Sequence, residues 1–255
     1  SNCDSKPEKI TVSKGKYKVS HTTETVFYIF KAEQSKGHSL VIFPGGGYKT
    51  VNLNFGLGKW LAKNGITTMI VKYRLPNGHA EVPLEDAQAG LRYMRTEGVK
   101  WGVDPKQVGI LGSSAGGYLA GHASNVTPDN EKPAFSILIY SVVDGTKRSI
   151  QRGTFGLMLG TNRTDAEQHS YSLHNLVSPT TPPTLLLLAD DDIRVKPEHS
   201  MAYYKALKYY GIPAAMHSFP SGGHGWAGHD EYRYAEPCKR AIKDWLEIMR
   251  TPKTE

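Results

Sequence analysis

Short, unbroken apolar segments constrain the fold of this chain more than any other feature of its sequence. The clearest of them read LVIF at 40–43, VGIL at 108–111, SILIYS at 136–141 and TLLLL at 184–188. Strands without hydrophobic–polar alternation are typical of a parallel sheet that is buried on both faces. Segments with a helical spacing of apolar residues occur between them, as at 84–97. This order predicts an α/β fold with a mostly parallel central sheet and helices on both faces.

Two regions depart from this regular order. The segments 10–12 and 25–29 have the composition of short strands, and we expect them to form an antiparallel edge. The stretch 145–181 is irregular, and it lies where an α/β sheet accommodates an insertion over its active site. We therefore expect a short cap region there.

The length of the chain suits one sizeable hydrophobic core. It has 255 residues, 39% of them hydrophobic, without a Pro-, Gly- or Ser-rich linker near the middle. We expect a flexible polar leader at 1–9 and a single domain at 10–255. The longest apolar runs have the length of strands, far from the roughly 18 residues that a membrane helix needs.

The net charge is basic but dispersed. There are 31 Lys and Arg residues against 24 Asp and Glu, a formal charge of +7. The basic residues form no dense stripe with interleaved aromatic residues, so we expect a solvated basic surface and no nucleic-acid partner. The sequence leaves the oligomeric state open.

The two cysteines lie near opposite ends of the chain, at Cys3 and Cys238. Neither belongs to a Cys-x-x-Cys metal or redox spacing, and a disulfide framework is not expected. Cys3 lies in the polar leader, where it matches the lipid-bearing first residue of an exported bacterial lipoprotein. This predicts a protein of the periplasm or cell surface, attached to a membrane only through Cys3; an ordinary cysteine in a tail is the alternative.

The stretch 112–116 reads Gly-Ser-Ser-Ala-Gly, a G-x-S-x-G pattern that joins a predicted strand to a predicted helix. In such an arrangement the central residue, Ser114, occupies a strained tight turn that exposes its hydroxyl at the end of the sheet. The helix that follows points its N-terminal N–H groups toward the reacting centre. The pattern therefore predicts Ser114 as a nucleophile, with a plain tight turn as the alternative.

A serine hydroxyl needs a base, and the base needs an acid that orients its ring. Both candidates follow later strands, the acid within Asp190-Asp191-Asp192 and the base at His224 in a Gly-Gly-His-Gly loop. The order Ser, Asp, His is the one that α/β-hydrolases use. We expect the three adjacent carboxylates to have different roles. The Asp-x-x-Val spacing before the next helix favours Asp192 over its neighbours as the acid.

The loop after the strand at 40–43 reads Pro-Gly-Gly-Gly-Tyr at 44–48. Three consecutive glycines cost chain entropy on folding, so such a segment serves a backbone purpose. Between a buried strand and a helix, that purpose is to present N–H groups to an anion. A flexible loop is the alternative.

Taken together, several stretches resemble the acetyl-xylan-esterase-like and lipase-like carboxylesterases of the α/β-hydrolase superfamily. They are PGGGY (44–48), VKYRL (71–75), PLEDAQAGLRYMR (83–95), WGVDPKQVGILGSSAGGYLA (101–120), PPTLLLLADDDIRV (182–195) and GGHGW (222–226). The resemblance covers about residues 25–250. It implies Ser114 as nucleophile, His224 as base and Asp192 as acid, because Asp192 fills the family's Asp-x-x-Val position.

The same resemblance implies an oxyanion hole formed by the N–H groups of Gly46, Gly47 and Ala115. Related carboxylesterases begin the glycine motif with His, whereas this chain has Pro44. The change retains the backbone donors and removes the contact that a histidine side chain makes. By position, Tyr48 and Trp226 are candidates for stacking on a sugar ring.

The expected reaction is hydrolysis of a short acyl ester, acetyl above all, on a small-molecule or oligosaccharide substrate. It proceeds through an acyl-enzyme and calls for no metal or cofactor. A feruloyl esterase and a peptidase of the prolyl-oligopeptidase type are the alternative enzymes. A carbohydrate-binding relative without activity is the alternative outside enzymes, although the chain retains all three predicted catalytic groups.

Overall fold

A computed structural model describes residues 6–13, 15–146 and 152–250. The strands are β1 (Lys9–Ser13), β2 (Lys16–Ser20), β3 (Val26–Phe30), β4 (Ser39–Phe43), β5 (Val51–Leu53), β6 (Thr67–Lys72), β7 (Val108–Ser113), β8 (Ser136–Ile139), β9 (Thr184–Ala189) and β10 (Ala214–Phe219). The helices are α1 (Gly56–Lys63), α2 (Glu81–Glu97), α3 (Ala115–Val126), α4 (Arg152–Leu159), α5 (Asp165–Ser170), α6 (Leu173–Leu176), α7 (Pro197–Tyr209) and α8 (Ala235–Arg250).

The main sheet has seven strands in the order β10-β9-β8-β7-β4-β6-β3. Neighbouring strands are parallel except β3, which pairs antiparallel with β6 at one edge. Every residue of β4, β6, β8 and β9 is buried, as expected for strands covered on both sides. The predicted α/β fold with a mostly parallel sheet is confirmed.

Helices cover both faces of this sheet. A Cβ built on Gly58 of α1 meets Ile70 of β6, whereas one built on Gly90 of α2 meets Met69. Successive side chains of a strand point to opposite faces, so α1 and α2 lie on opposite sides. Within the described ranges, no helix is long and apolar enough to cross a membrane.

A second sheet contains three strands in the order β1-β2-β5. The expectation that 10–12 and 25–29 share one antiparallel edge is wrong, because β1 pairs with β2 while β3 pairs with β6. The strands β2 and β5 were not expected from the sequence. Their short sequences, KYKVS and VNL, carry too little apolar pattern to identify them.

The structure reaches into the predicted leader. The carboxylate of Glu8 accepts a hydrogen bond from Lys72 Nζ at 2.5 Å, and β1 begins at Lys9. Ordered contacts thus begin before the predicted domain boundary at residue 10. Cys3, the predicted site of lipidation, lies outside the described residues.

The segment between β8 and β9 holds three short helices, α4 to α6, where the sequence predicts a cap region. The first turn of α5 is closed by a capping box, in which Thr164 Oγ1 accepts from Glu167 N and Glu167 Oε2 accepts from Thr164 N. In the described part of this segment no helix exceeds eight residues, as expected for a short cap region.

Candidate active site

Ser114 lies in the turn between β7 and α3, with φ 55° and ψ −123°. This strained conformation is maintained by close packing, which the flanking glycines permit. A Cβ on Gly112 would lie 2.1 Å from the carbonyl oxygen of Gly116, and one on Gly116 would lie 2.2 Å from that of Phe43. Only glycine fits at either position, and the turn consequently lifts the Ser114 hydroxyl to the carboxyl end of the sheet.

His224 connects the serine to an aspartate. Its Nε2 lies 2.8 Å from Ser114 Oγ, and its Nδ1 lies 2.7 Å from Asp192 Oδ2. The Asp192 side chain is fully buried, whereas that of His224 is 14% exposed. The three side chains predicted to act together therefore form one continuous chain of hydrogen bonds.

The turn after β9 holds Asp192 in its ionised form. Its second oxygen, Oδ1, accepts from the N–H groups of Arg194 at 2.9 Å and Val195 at 3.0 Å. Burial alone raises the pKa of the Asp192 carboxyl, but hydrogen bonds from His224 and Val195 outweigh it and hold the pKa below its ordinary value. An anion facing Nδ1 fixes the ring tautomer that leaves Nε2 free to accept the serine proton.

The neighbouring Asp191 has a different task. Its carboxylate accepts hydrogen bonds from the N–H groups of Gly222 at 3.2 Å and Gly223 at 2.7 Å. These glycines immediately precede His224, so Asp191 holds the loop that presents the imidazole. The sequence could not divide these roles between adjacent aspartates; the backbone geometry of the turn divides them.

The glycine loop after β4 packs directly against Ser114. A Cβ on Gly45 would lie 3.0 Å from Ser114 Cβ, and Gly46 and Gly47 have φ values of 146° and 63°. In the part of the chain that the structure describes, the N–H groups of Gly46 and Gly47 donate to no backbone carbonyl. Ala115 is the first residue of α3, where N–H groups lack a partner within the helix.

Pro44, which stands where related carboxylesterases have His, is also held in place. Its carbonyl oxygen accepts a hydrogen bond from the buried Tyr73 hydroxyl at 2.8 Å. This contact fixes the point at which the chain leaves β4 and enters the glycine loop.

The structure does not present Tyr48 or Trp226 to a sugar, contrary to the prediction. Tyr48 is 1% exposed and packs edge-on against Tyr73 and Tyr118. Trp226 is 5% exposed and stacks on Tyr232 at a centroid distance of 4.5 Å. Both rings are part of the hydrophobic core, because aromatic neighbours from distant segments cover them.

Tyr140 is a site residue that sequence reasoning missed. It follows β8 with a φ of 36°, and its ring centroid lies 4.6 Å from that of His224. Its hydroxyl accepts a hydrogen bond from the N–H group of Ala227 at 2.9 Å. Its position at the carboxyl end of a central strand, level with Ser114, was the available signal.

A groove of about 810 Å³ opens at Ser114 and His224. It extends to the small sheet, and its lining there is polar and basic, with contributions from Thr11, Ser13, Lys16, Lys18, Lys49, Asn52 and Asn54. Of the aromatic residues along it, Tyr17 is 36% exposed, whereas Tyr140 is buried. Among the residues described, no group of three or more His, Cys, Asp or Glu side chains could hold a metal ion.

The strand order, the strained serine turn and the Ser–His–Asp contacts together define the α/β-hydrolase class. The sequence matches the prolyl oligopeptidase family over residues 74–247, and the chain belongs to this family. The resemblance to α/β-hydrolases found in the sequence is thereby confirmed.

Two similar proteins of 30% identity or more are named as ester hydrolases, and a third shares the fold. The acetylxylan esterase of Xylanibacter ruminicola is 32% identical over 234 residues, which cover 89% of this chain and 48% of the esterase. A solved acetyl ester-xyloside bifunctional hydrolase from Caldicellulosiruptor lactoaceticus is 30% identical, with a TM-score of 0.77 over 88% of this chain and 87% of that one. A sugar hydrolase from Lactococcus lactis, 21% identical, shares the fold with a TM-score of 0.75 over 95% and 98% of the two chains.

The chain thus spans about half the length of the curated esterase that it matches. Over the matched region, both relatives at 30% identity or more carry the names of ester hydrolases.

Proposed function

We propose that this domain is a serine esterase that removes short acyl groups, acetyl above all, from carbohydrates. The observation that supports it most is the hydrogen-bond chain from Ser114 Oγ through His224 to Asp192, with distances of 2.8 and 2.7 Å. An oriented imidazole within reach of a strained serine is the arrangement that acyl transfer requires.

In the proposed reaction, His224 Nε2 takes the Ser114 proton as the oxygen attacks the acyl carbonyl. The N–H groups of Gly46, Gly47 and Ala115 receive the developing oxyanion. The imidazolium, stabilised by Asp192, then protonates the departing sugar oxygen, and the acyl group remains on Ser114. A water molecule repeats the sequence, so that one ester and one water yield one carboxylic acid and one alcohol.

The groove and the relatives support a carbohydrate substrate. Hydroxyl and amide groups of Thr11, Ser13 and Asn52 line a groove that is open to solvent, as a hydrated saccharide requires. The two relatives at 30% identity or more are an acetylxylan esterase and an acetyl ester-xyloside bifunctional hydrolase. The small cap argues for a short acyl group.

Acyl preference is tested with 4-nitrophenyl acetate, butyrate and octanoate. We expect kcat/KM to fall as the chain lengthens; equal or better rates on octanoate contradict the proposal. Acetate release from acetylated xylan, acetylated chitin-type oligosaccharides and acetylated sialic acid then ranks the sugars, and absence of release from all three contradicts a carbohydrate substrate.

The family match favours one second candidate, a peptidase of the prolyl-oligopeptidase type. It is tested on a peptidyl-prolyl nitroanilide beside 4-nitrophenyl acetate. A kcat/KM for the anilide above that for the ester favours the peptidase. A feruloyl esterase is separated in the same way, by methyl ferulate against the acetate ester.

A further inference from the structure

The small sheet presents a polar face to the groove. In the antiparallel register, Thr11 lies opposite Lys18, Ser13 lies opposite Lys16, and Asn52 of β5 lies on the other side of Lys18. Residues directly opposite each other project on the same face, and so do residues two apart on one strand. All five line the groove that holds Ser114, and we call them the sheet wall.

The charge along this groove has one sign. Four cationic side chains line it, those of Lys16, Lys18, Lys49 and Arg194, and the described lining residues include no Asp or Glu. The His224 partner Asp192 is buried behind the imidazole and does not line the groove. A cleft lined by one sign of charge raises the local concentration of ligands of the opposite sign.

Two of these cations are available to a ligand. Lys16 lies 3.8 Å from Glu231, so part of its charge is neutralised. Lys18 and Lys49 are exposed, and neither forms an ion pair with another described residue. By contrast, several lysines away from the groove have carboxylate partners, namely Lys72, Lys100, Lys132 and Lys239.

The other side chains that line the groove suit an anionic saccharide better than a nucleic acid. The hydroxyl and amide groups of the sheet wall lie on the same face as Lys16 and Lys18 and can donate to or accept from ring hydroxyls. Single-stranded nucleic acids are typically bound on a series of stacking aromatic rings, and Tyr17 is the single exposed aromatic residue in the described lining.

We propose that the substrate is an acetylated saccharide bearing a carboxylate, a uronic-acid-substituted oligosaccharide, whose carboxylate is bound by Lys18 and Lys49. This inference rests on the esterase function proposed above. The acetyl ester lies at Ser114, the carboxylated residue lies over the sheet wall, and the lysines determine specificity without taking part in acyl transfer.

The test compares two acetylated xylo-oligosaccharides, one with a glucuronic acid branch and one without, at equal acetate content. We expect kcat/KM to be about threefold to tenfold higher for the acidic substrate at low salt, the range of one or two exposed ion pairs. The advantage should shrink at about 1 M NaCl, where the screening length is about 3 Å. Equal kcat/KM for the two substrates overturns the proposal.

The double variant Lys18→Gln/Lys49→Gln should bring the acidic-to-neutral ratio of kcat/KM close to one. Lys205→Gln, an exposed position on α7 outside the groove, is the matched control and should keep the wild-type ratio. A double variant with the wild-type ratio overturns the role of these lysines. If neither oligosaccharide nor 4-nitrophenyl acetate is hydrolysed, the esterase proposal itself fails, which is a distinct outcome.

Discussion

The two sides of the groove are built by opposite means. Around Ser114 the chain is buried, and backbone atoms approach so closely that Gly112 and Gly116 tolerate no side chain. On the sheet wall, every residue of β1 is exposed, and Lys18 is in contact with solvent. The residues around Ser114 have almost no room for larger side chains, whereas the residues of the sheet wall can be substituted without disturbing the core.

This difference separates the side of the groove that is proposed to carry out the reaction from the side that is proposed to select the substrate. Acyl transfer depends on reacting groups that are held to within about 0.5 Å of their productive positions, which only a closely packed scaffold maintains. Substrate choice in an open groove depends on charge and hydrogen-bonding groups, which exposed strands supply without strain. Substitutions near Ser114 should therefore have large effects on rate or stability, and those on the sheet wall should have small effects on stability.

The largest expected effect is that of Ser114→Ala. Removing the nucleophile should lower kcat for 4-nitrophenyl acetate by about 10⁴-fold or more, because the residual rate comes from binding and the oxyanion site alone. Thermal unfolding serves as the control, since the variant should fold. Retention of more than about a tenth of the activity in a folded variant contradicts the assignment.

The paired variants Asp192→Asn and Asp191→Asn distinguish the two adjacent carboxylates. Asp192→Asn should lower kcat by about 10³- to 10⁴-fold, because an amide cannot hold the imidazole in the required tautomer. Asp191→Asn retains an acceptor for one glycine N–H and should cost about tenfold, through a looser loop. The reverse ranking in kcat measurements contradicts the geometry described above.

Gly116→Ala tests the packing at the turn. Its Cβ would lie 2.2 Å from the Phe43 carbonyl oxygen, so the variant should lose about 3 kcal/mol of unfolding free energy. Gly153→Ala, in α4 at the edge of the groove, is the matched control, because no atom of the described residues lies within 4 Å of its added Cβ. Chemical denaturation should show loss in the first variant only; equal stability of the two would be inconsistent with the close contact.

Burial on the Ser114 side should also make the stability of the fold depend on pH. Burial lowers the pKa of His122, in α3, from 6.5 to about 4. Between these values the unfolded chain binds a proton that the folded chain does not, so stability falls as pH decreases from about 6.5 to about 4, by on the order of 3 kcal/mol. Denaturation at pH 7 and pH 4 should show that His122→Gln loses less unfolding free energy between the two pH values than the wild type does. An equal loss in the two proteins would mean that His122 does not cause the pH dependence.

The smallest expected effect belongs to the sheet wall. Lys18→Gln should change the unfolding free energy by less than about 0.5 kcal/mol, because the side chain is exposed and makes no ion pair within the described ranges. Denaturation at neutral pH measures it. A loss above about 1 kcal/mol would mean that this residue supports the fold.

Much of the candidate active site could be predicted from local sequence. The G-x-S-x-G pattern, the Gly-Gly-His-Gly loop and the aspartates each follow a strand, and the carboxyl ends of parallel strands meet at one edge of a sheet. Tyr140 shares that position, but no motif marks it. The strands β2 and β5 escaped prediction because β2 is mostly polar and the three residues of β5 are too few to carry a periodic signal.

By itself, the sequence determined the α/β class, the parallel sheet and the candidate triad, because each is encoded in residues that are close together along the chain. Only the tertiary structure decided that Asp192 contacts His224 while Asp191 holds the loop, that Tyr48 and Trp226 are buried, and that a basic sheet flanks Ser114. Burial and contact depend on partners from distant segments, and a local pattern contains no record of which segments will cover it.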